Sequence, residues 1–175
     1  MKIVFFGNPK FASDSLDYLC NNNVDIELVI TNPDKRSGRG LGYRSTEVKR
    51  IANKHNCKIH ETDYLDENLI KLLKSINPDI AIVVAYKFLP KIIYNIPSIA
   101  TINLHASLLP FHAGASPIQY TLIKGDTESG LTSFIINNKI DQGDILFQKK
   151  ILINDKITFT ELYEELSKIG GHVLV

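Results

Sequence analysis

The sequence predicts a doubly wound α/β domain, a mostly parallel sheet with helices on both faces, from three observations. Apolar strand-like runs alternate with helix-like segments along the whole chain. Residues 79–85 (Asp-Ile-Ala-Ile-Val-Val-Ala) are apolar after the first position, the pattern of a strand covered on both faces. The 175 residues, 44% of them hydrophobic, suffice for one domain with a substantial core. In order, residues 2–6 are expected to form a strand, 12–21 a helix and 26–31 a second strand. Residues 46–55 follow as a helix opened by a Ser45/Thr46 cap. A short strand at 58–60 precedes a helix at 66–76, which stops before Asn77-Pro78. Strands at 79–85 and 98–104 come next, then a helix at 116–124 that begins Ser-Pro. Strands at 131–137 and 145–153 and a helix at 159–169 complete the series.

Two segments are read as loops. Residues 32–44 lack a hydrophobic period and carry Gly38, Gly40 and Gly42, so an exposed, mobile connection is expected. Residues 109–116 join the strand bearing His105 to a helix, at the carboxyl end of that strand, where open α/β sheets bind ligands. A dinucleotide site is not indicated, because Gly7 stands without the further glycines that admit a pyrophosphate and Pro9 occupies that turn. A P-loop ending is likewise missing from residues 32–42.

Composition narrows the class further. With 22% charged residues the chain is ordinary for a folded soluble domain. Cys20 and Cys57 follow no metal or redox spacing and are read as reduced thiols of a cytoplasmic protein. The apolar start is broken by Gly7, Asn8 and Pro9 too early for a signal-peptide core, and no run approaches the roughly 20 residues of a membrane span. Net charge is +1, but residues 34–54 hold seven basic side chains (Lys35, Arg36, Arg39, Arg44, Lys49, Arg50, Lys54) against Asp34 and Glu47. A basic, Gly-rich segment on a slightly acidic body suits phosphates, and a solvated loop and helix face is the plainer account.

The chemistry concentrates in Asn103-Leu-His105-Ala-Ser107-Leu-Leu-Pro110 and in Ile140-Asp141-Gln-Gly143-Asp144. Asn103 and His105 are two apart, so on a strand both project from one face. With Asp141 they form a set without a Ser or Cys nucleophile, which suits moving an acyl group between two nitrogens. An asparagine N–H aimed at the developing oxyanion is worth about 3 kcal/mol. A histidine can donate or relay the proton, and a carboxylate beside it orients the ring and favours the imidazolium. No metal is needed, and His55, His60, His112 and His172 show no ligand spacing. Each residue alone has a plainer role: a strand-end histidine bonded to backbone, a loop asparagine, an Asp-x-Gly turn, or a serine capping the turn before Pro110. Only the combination points to a site.

Those segments, with Gly114-Ala-Ser-Pro117-Ile-Gln119, Gly125-Asp-Thr-Glu-Ser-Gly130-Leu-Thr132 and Thr31-Asn-Pro33-Asp34-Lys-Arg-Ser-Gly38-Arg39-Gly40, resemble the folate-dependent formyltransferase family over residues 1 to about 170. The likeness is closest to members that formylate methionine carried on initiator tRNA. The resemblance implies a Rossmann-like catalytic domain over residues 1–175, acting as a monomer. The formyl donor would be 10-formyltetrahydrofolate, the acceptor initiator methionyl-tRNA, with no metal. By the same resemblance Asn103, His105 and Asp141 are catalytic, and Ser107, Leu108, Leu109 and Pro110 sit against the folate. Tyr86, Phe88 and Leu89 help to hold its pterin, and Arg36, Arg39 and Arg44 face the tRNA. Two alternatives stay open: a sister enzyme formylating a sugar-nucleotide or purine-pathway amine, and a non-catalytic folate- or tRNA-binding module. The chain departs from the family in two ways. Phe111-His112-Ala113 stands where basic residues are frequent, which makes His112 a second titratable candidate. The family's C-terminal barrel-like domain also has no counterpart within these 175 residues.

Overall fold

The computed structural model describes residues 1–37 and 42–175, except the side chains of 36 and 37. The chain runs β1 (Ile3–Gly7), α1 (Lys10–Asn21), β2 (Ile26–Thr31), β3 (Lys35–Ser37), β4 (Gly42–Arg44), α2 (Glu47–Lys54), β5 (Ile59–Glu61) and α3 (Glu67–Ile76). It continues through β6 (Ile80–Val84), α4 (Lys91–Tyr94), β7 (Ala100–His105), α5 (Pro117–Lys124), β8 (Glu128–Ile135), β9 (Ile145–Leu152), α6 (Phe159–Gly170) and a 3₁₀ turn at Gly171–Val173. Among the described residues seven strands form the main sheet, in the order β5-β2-β1-β6-β7-β8-β9. The first five are parallel, β8 runs antiparallel to β7, and β9 antiparallel to β8.

Alternation along β1 shows why the sheet has helices on both faces. Ile3 and Phe5 pack with Leu16 and Leu19 of α1, Val48 and Ala52 of α2, Ile118 of α5, and Leu162 and Leu166 of α6. Val4 and Phe6 point the other way, into a cluster with Leu69 and Leu73 of α3 and Ile93 and Tyr94 of α4. Burying a side chain such as Phe5 or Phe6 contributes about 1.5–3 kcal/mol, and a one-residue slip would send every member to the wrong face. The expected doubly wound, mostly parallel sheet is present.

Local signals fix the helix ends. Thr46 Oγ1 accepts from the Lys49 N–H at 3.1 Å, and Asp66 Oδ1 from the Leu69 N–H at 3.1 Å. Thr158 and Glu161 form a reciprocal capping box that opens α6. The structure adds the short α4 at Lys91–Tyr94, which is outside the expected series, and corrects residues 32–44, expected to lack regular structure. β3 and β4 pair there as an antiparallel hairpin, with Lys35 opposite Arg44 and Ser37 opposite Gly42, because Lys-Arg-Ser and Gly-Tyr-Arg can form a ladder without a buried face. Gly38, Arg39 and Gly40 lie outside the described residues. Cys20 and Cys57 are free thiols, as read, yet their sulfurs lie 3.9 Å apart. Burial first, and then the neighbouring Cys57, pushes the Cys20 thiol up to about 12. Among the described residues no helix is long and apolar enough to cross a membrane.

Candidate active site

β6 and β7 run in register, so Val83 sits beside Asn103 and Val84 beside Leu104, and their carboxyl ends open into a cleft of about 640 Å³. That volume suits a small-molecule ligand. Asn103, His105 and Asp141 all line it. Asn103 and His105 share one face of β7, as their spacing requires. The Asn103 amide is half-buried, and among the described residues no hydrogen bond holds it. It is therefore available to a ligand oxygen.

His105 is 7% exposed and held from two sides. Its Nε2 lies 3.0 Å from the backbone oxygen of His112. A carbonyl only accepts, so this contact assigns the ring proton to Nε2. Nδ1 faces Asp141 Oδ2 at 3.6 Å, a charge contact slightly longer than a hydrogen bond. Asp141 is anchored elsewhere: its Oδ2 accepts the Gly114 N–H at 2.7 Å. The turn that carries it is knitted by Asn137 Nδ2 donating to the Gln142 carbonyl and by the Ile135 N–H donating to the Asp144 carbonyl. Gly143 permits this turn, because a Cβ there would collide with the carbonyl oxygen of Ile135.

The remaining expected residues divide into two groups. Tyr86, Phe88 and Leu89 line the cleft, with Phe88 exposed and Leu89 buried. The Tyr86 hydroxyl is buried and finds no partner among the described residues, and burial, aided by the Asp63 carboxylate, pushes its phenol up to about 12. Ser107, Leu108, Leu109 and Pro110 are not part of the lining; they make the turn behind it. Ser107 Oγ donates to the Phe111 carbonyl at 2.6 Å. Thr132 Oγ1 donates to the Ser107 carbonyl and accepts from the Leu109 N–H. Gln148 completes the knot through Nε2 to the Leu109 carbonyl at 2.8 Å. The His112 ring also lies outside the lining and meets Asp126 Oδ2 at 2.5 Å.

Sequence reasoning missed several members of the site. Gly114 holds Asp141 through its backbone, and Pro9, Phe11 and Tyr163 supply an opposite wall. The Tyr163 hydroxyl accepts the Phe11 N–H at 2.9 Å across 152 positions, a contact that no local pattern signals. None of the described residues of 34–54 lines the cleft. The basic excess counted there is largely offset in space. Lys49 meets Asp34 at 2.8 Å and Glu61 at 2.9 Å, Lys54 meets Asp17 at 2.8 Å, and Lys35 meets Asp63 at 3.5 Å. Arg50 and Arg44 share Glu47, at 2.6 and 3.9 Å. The Arg36 side chain and Arg39 lie outside the described residues. Among the described residues no group of three or more His, Cys, Asp or Glu side chains is placed to hold a metal ion.

A family model described as formyl transferase matches residues 1–175. The methionyl-tRNA formyltransferase of Thermodesulfovibrio yellowstonii is 46% identical over 175 residues, covering 99% of this chain and 57% of that protein. The proteins of the same name from Halothermothrix orenii and Flavobacterium johnsoniae are 41% and 38% identical, covering 100% of this chain and 56% of each. This chain thus spans about half the length of these curated relatives. In fold it is similar to the phosphoribosylglycinamide formyltransferase of Bacillus halodurans, with a TM-score of 0.83 at 16% identity over 99% of this chain and 91% of that one. Glycinamide ribonucleotide transformylase 1 of Symbiobacterium toebii matches with a TM-score of 0.85 at 15% identity, over 99% and 84% of the two chains.

Proposed function

The chain belongs to the formyl transferase family, and we propose that it moves a formyl group from 10-formyltetrahydrofolate to the amino group of methionine on initiator tRNA. The observation that carries this reading is the convergence of Asn103, His105 and Asp141 at one end of a cleft of small-molecule size. The curated relatives' name supplies the acceptor. The neutral amine attacks the formyl carbon, a tetrahedral oxyanion forms, and the bond to the folate nitrogen breaks. The uncommitted Asn103 amide donates to that oxyanion, a contribution of about 3 kcal/mol. His105 carries the proton given up by the amine to the departing nitrogen, with Asp141 as the counter-charge beside Nδ1. Approaches such as the 3.6 Å between Asp141 and His105 commonly tighten when substrate closes the site. The apolar wall from Tyr86 to Leu89 suits the flat donor, Ser107–Pro110 support it from behind, and Arg36, Arg39 and Arg44 meet the tRNA backbone. No metal takes part, and the enzyme works as a cytoplasmic monomer.

The test is a formyl-transfer assay on this chain with 10-formyltetrahydrofolate. Transfer to methionyl-tRNA, and none to glycinamide ribonucleotide, is the expected result. Preference for the ribonucleotide would move the chain to the sister activity, and donor binding without transfer to either amine would leave a binding module.

A further inference from the structure

His112 meets His105 through its backbone rather than its ring. Its carbonyl receives the His105 Nε2–H at 3.0 Å, while its ring turns outward to Asp126 at 2.5 Å. The residue has φ +55°, a left-handed conformation that a non-glycine side chain keeps only when its surroundings hold it. The surroundings do so from both directions. Asp126 is itself fixed just past the left-handed Gly125 that ends α5, with its N–H on the Thr121 carbonyl at 3.2 Å. Two residues on, the Gly114 N–H is committed to Asp141 at 2.7 Å. The direction of the His112 carbonyl is therefore set between an outer carboxylate and the carboxylate of the site.

We infer that the His112–Asp126 pair is a positioning device for His105, which holds the His112 carbonyl so that the imidazole keeps its proton on Nε2 and turns Nδ1 toward Asp141. The inference rests on reading His105 as the proton carrier. Its physical basis is a difference in distance: the opposite tautomer would set the Nε2 lone pair against the His112 carbonyl oxygen at 3.0 Å, a closer meeting of two acceptors than the 3.6 Å that the Nε2–H form leaves between Nδ1 and Asp141 Oδ2. Without the carbonyl, Asp141 would draw the single proton to Nδ1, and the ring would enter the reaction in the wrong form.

The test reads the tautomer directly, by long-range ¹H–¹⁵N correlation on the full chain at a pH where imidazole is neutral. In the parent chain His105 Nε2 should carry the hydrogen. Asp126→Ala should shift it wholly or partly to Nδ1. Asp126→Asn, whose side-chain oxygen still accepts from the His112 ring, should keep the parental pattern. His112→Gly takes φ +55° without strain and lacks the ring, so it should reproduce the Asp126→Ala spectrum even if that variant folds poorly. In formyl transfer, kcat of Asp126→Ala should fall about ten- to a hundredfold with KM within about twofold. A parental His105 pattern in both Asp126→Ala and His112→Gly overturns the inference. Retained transfer in His105→Ala would instead remove the proton-carrier reading, and the tautomer result would stand.

Discussion

The two ends of the parallel sheet are built on different terms. At the amino end the interactions are plain. Asp79 Oδ2 accepts the Lys2 N–H at 2.7 Å and Oδ1 accepts from Ser98 Oγ at 3.1 Å, tying the starts of β1, β6 and β7 together. At the carboxyl end the backbone is forced. Among the described residues, seven non-glycine positions have positive φ. Asn23, Asn56 and Asn77 are asparagines, for which the conformation is common. The other four, Ala85, His112, Ser116 and Asp141, all lie at or beside the cleft. Each such residue costs of order 1–3 kcal/mol, so strain is concentrated where the chemistry is proposed.

Substitutions at the two ends should therefore separate activity from folding. The largest effect is expected for His105→Ala: formyl transfer down by about 10²–10⁴-fold, with a stability loss confined to about 1–3 kcal/mol, because the buried imidazole bonds the His112 carbonyl and belongs to neither apolar cluster. A chain that no longer folds at the assay temperature would break the comparison. Gly143→Ala should damage both, because the added methyl must push aside the Ile135 backbone and with it the turn holding Asp141. Denaturant titration should show a loss of about 1–3 kcal/mol, accompanied by reduced turnover. Neutralising Arg36, Arg39 and Arg44 together should leave kcat unaltered and raise KM for tRNA. The dependence of log affinity on log salt should flatten by about 0.7–0.9 for each phosphate that is no longer neutralised, and an unaltered slope would remove this segment from the interface. The smallest effect belongs to the amino end. The N–H of Lys2, and after it the Ser98 hydroxyl, hold the Asp79 carboxyl below its ordinary 3.8. Its stabilisation is thus present above that pH and lost as pH falls through the lowered value. Asp79→Asn should weaken the fold near neutrality, converge with the parent in acid, and leave formyl transfer untouched.

Periodicity made the architecture legible and topology concealed part of the site. The run from Asp79 to Ala85 announced a central strand, and the two-residue spacing of Asn103 and His105 placed both on one face. Asp141 was recognisable as a turn residue, and only the antiparallel return of β8 beside β7 explains how it reaches His105. Ser107 to Pro110 show the limit of motif reading, since a conspicuous sequence can be conspicuous for the knot it makes with Thr132 and Gln148. The basic excess of residues 34–54 shows another limit. A linear count misses Asp17, Glu61 and Asp63, which arrive from other elements to meet it. Because exposed ion pairs contribute about 0–1 kcal/mol each, the partners of Lys35 and Lys54 would yield to phosphates at little cost, whereas the partly buried Lys49 is held by two carboxylates.

The bond between the Tyr163 hydroxyl and the Phe11 N–H bears on how the protein is made. One wall of the cleft joins Phe11 to α6, so a ribosome adding about 5–20 residues per second must add the 152 positions that separate Phe11 from Tyr163 before that wall can close. During that interval Phe11 lacks its aromatic partner, and the nascent chain must keep an unfinished apolar surface in water until α6 arrives.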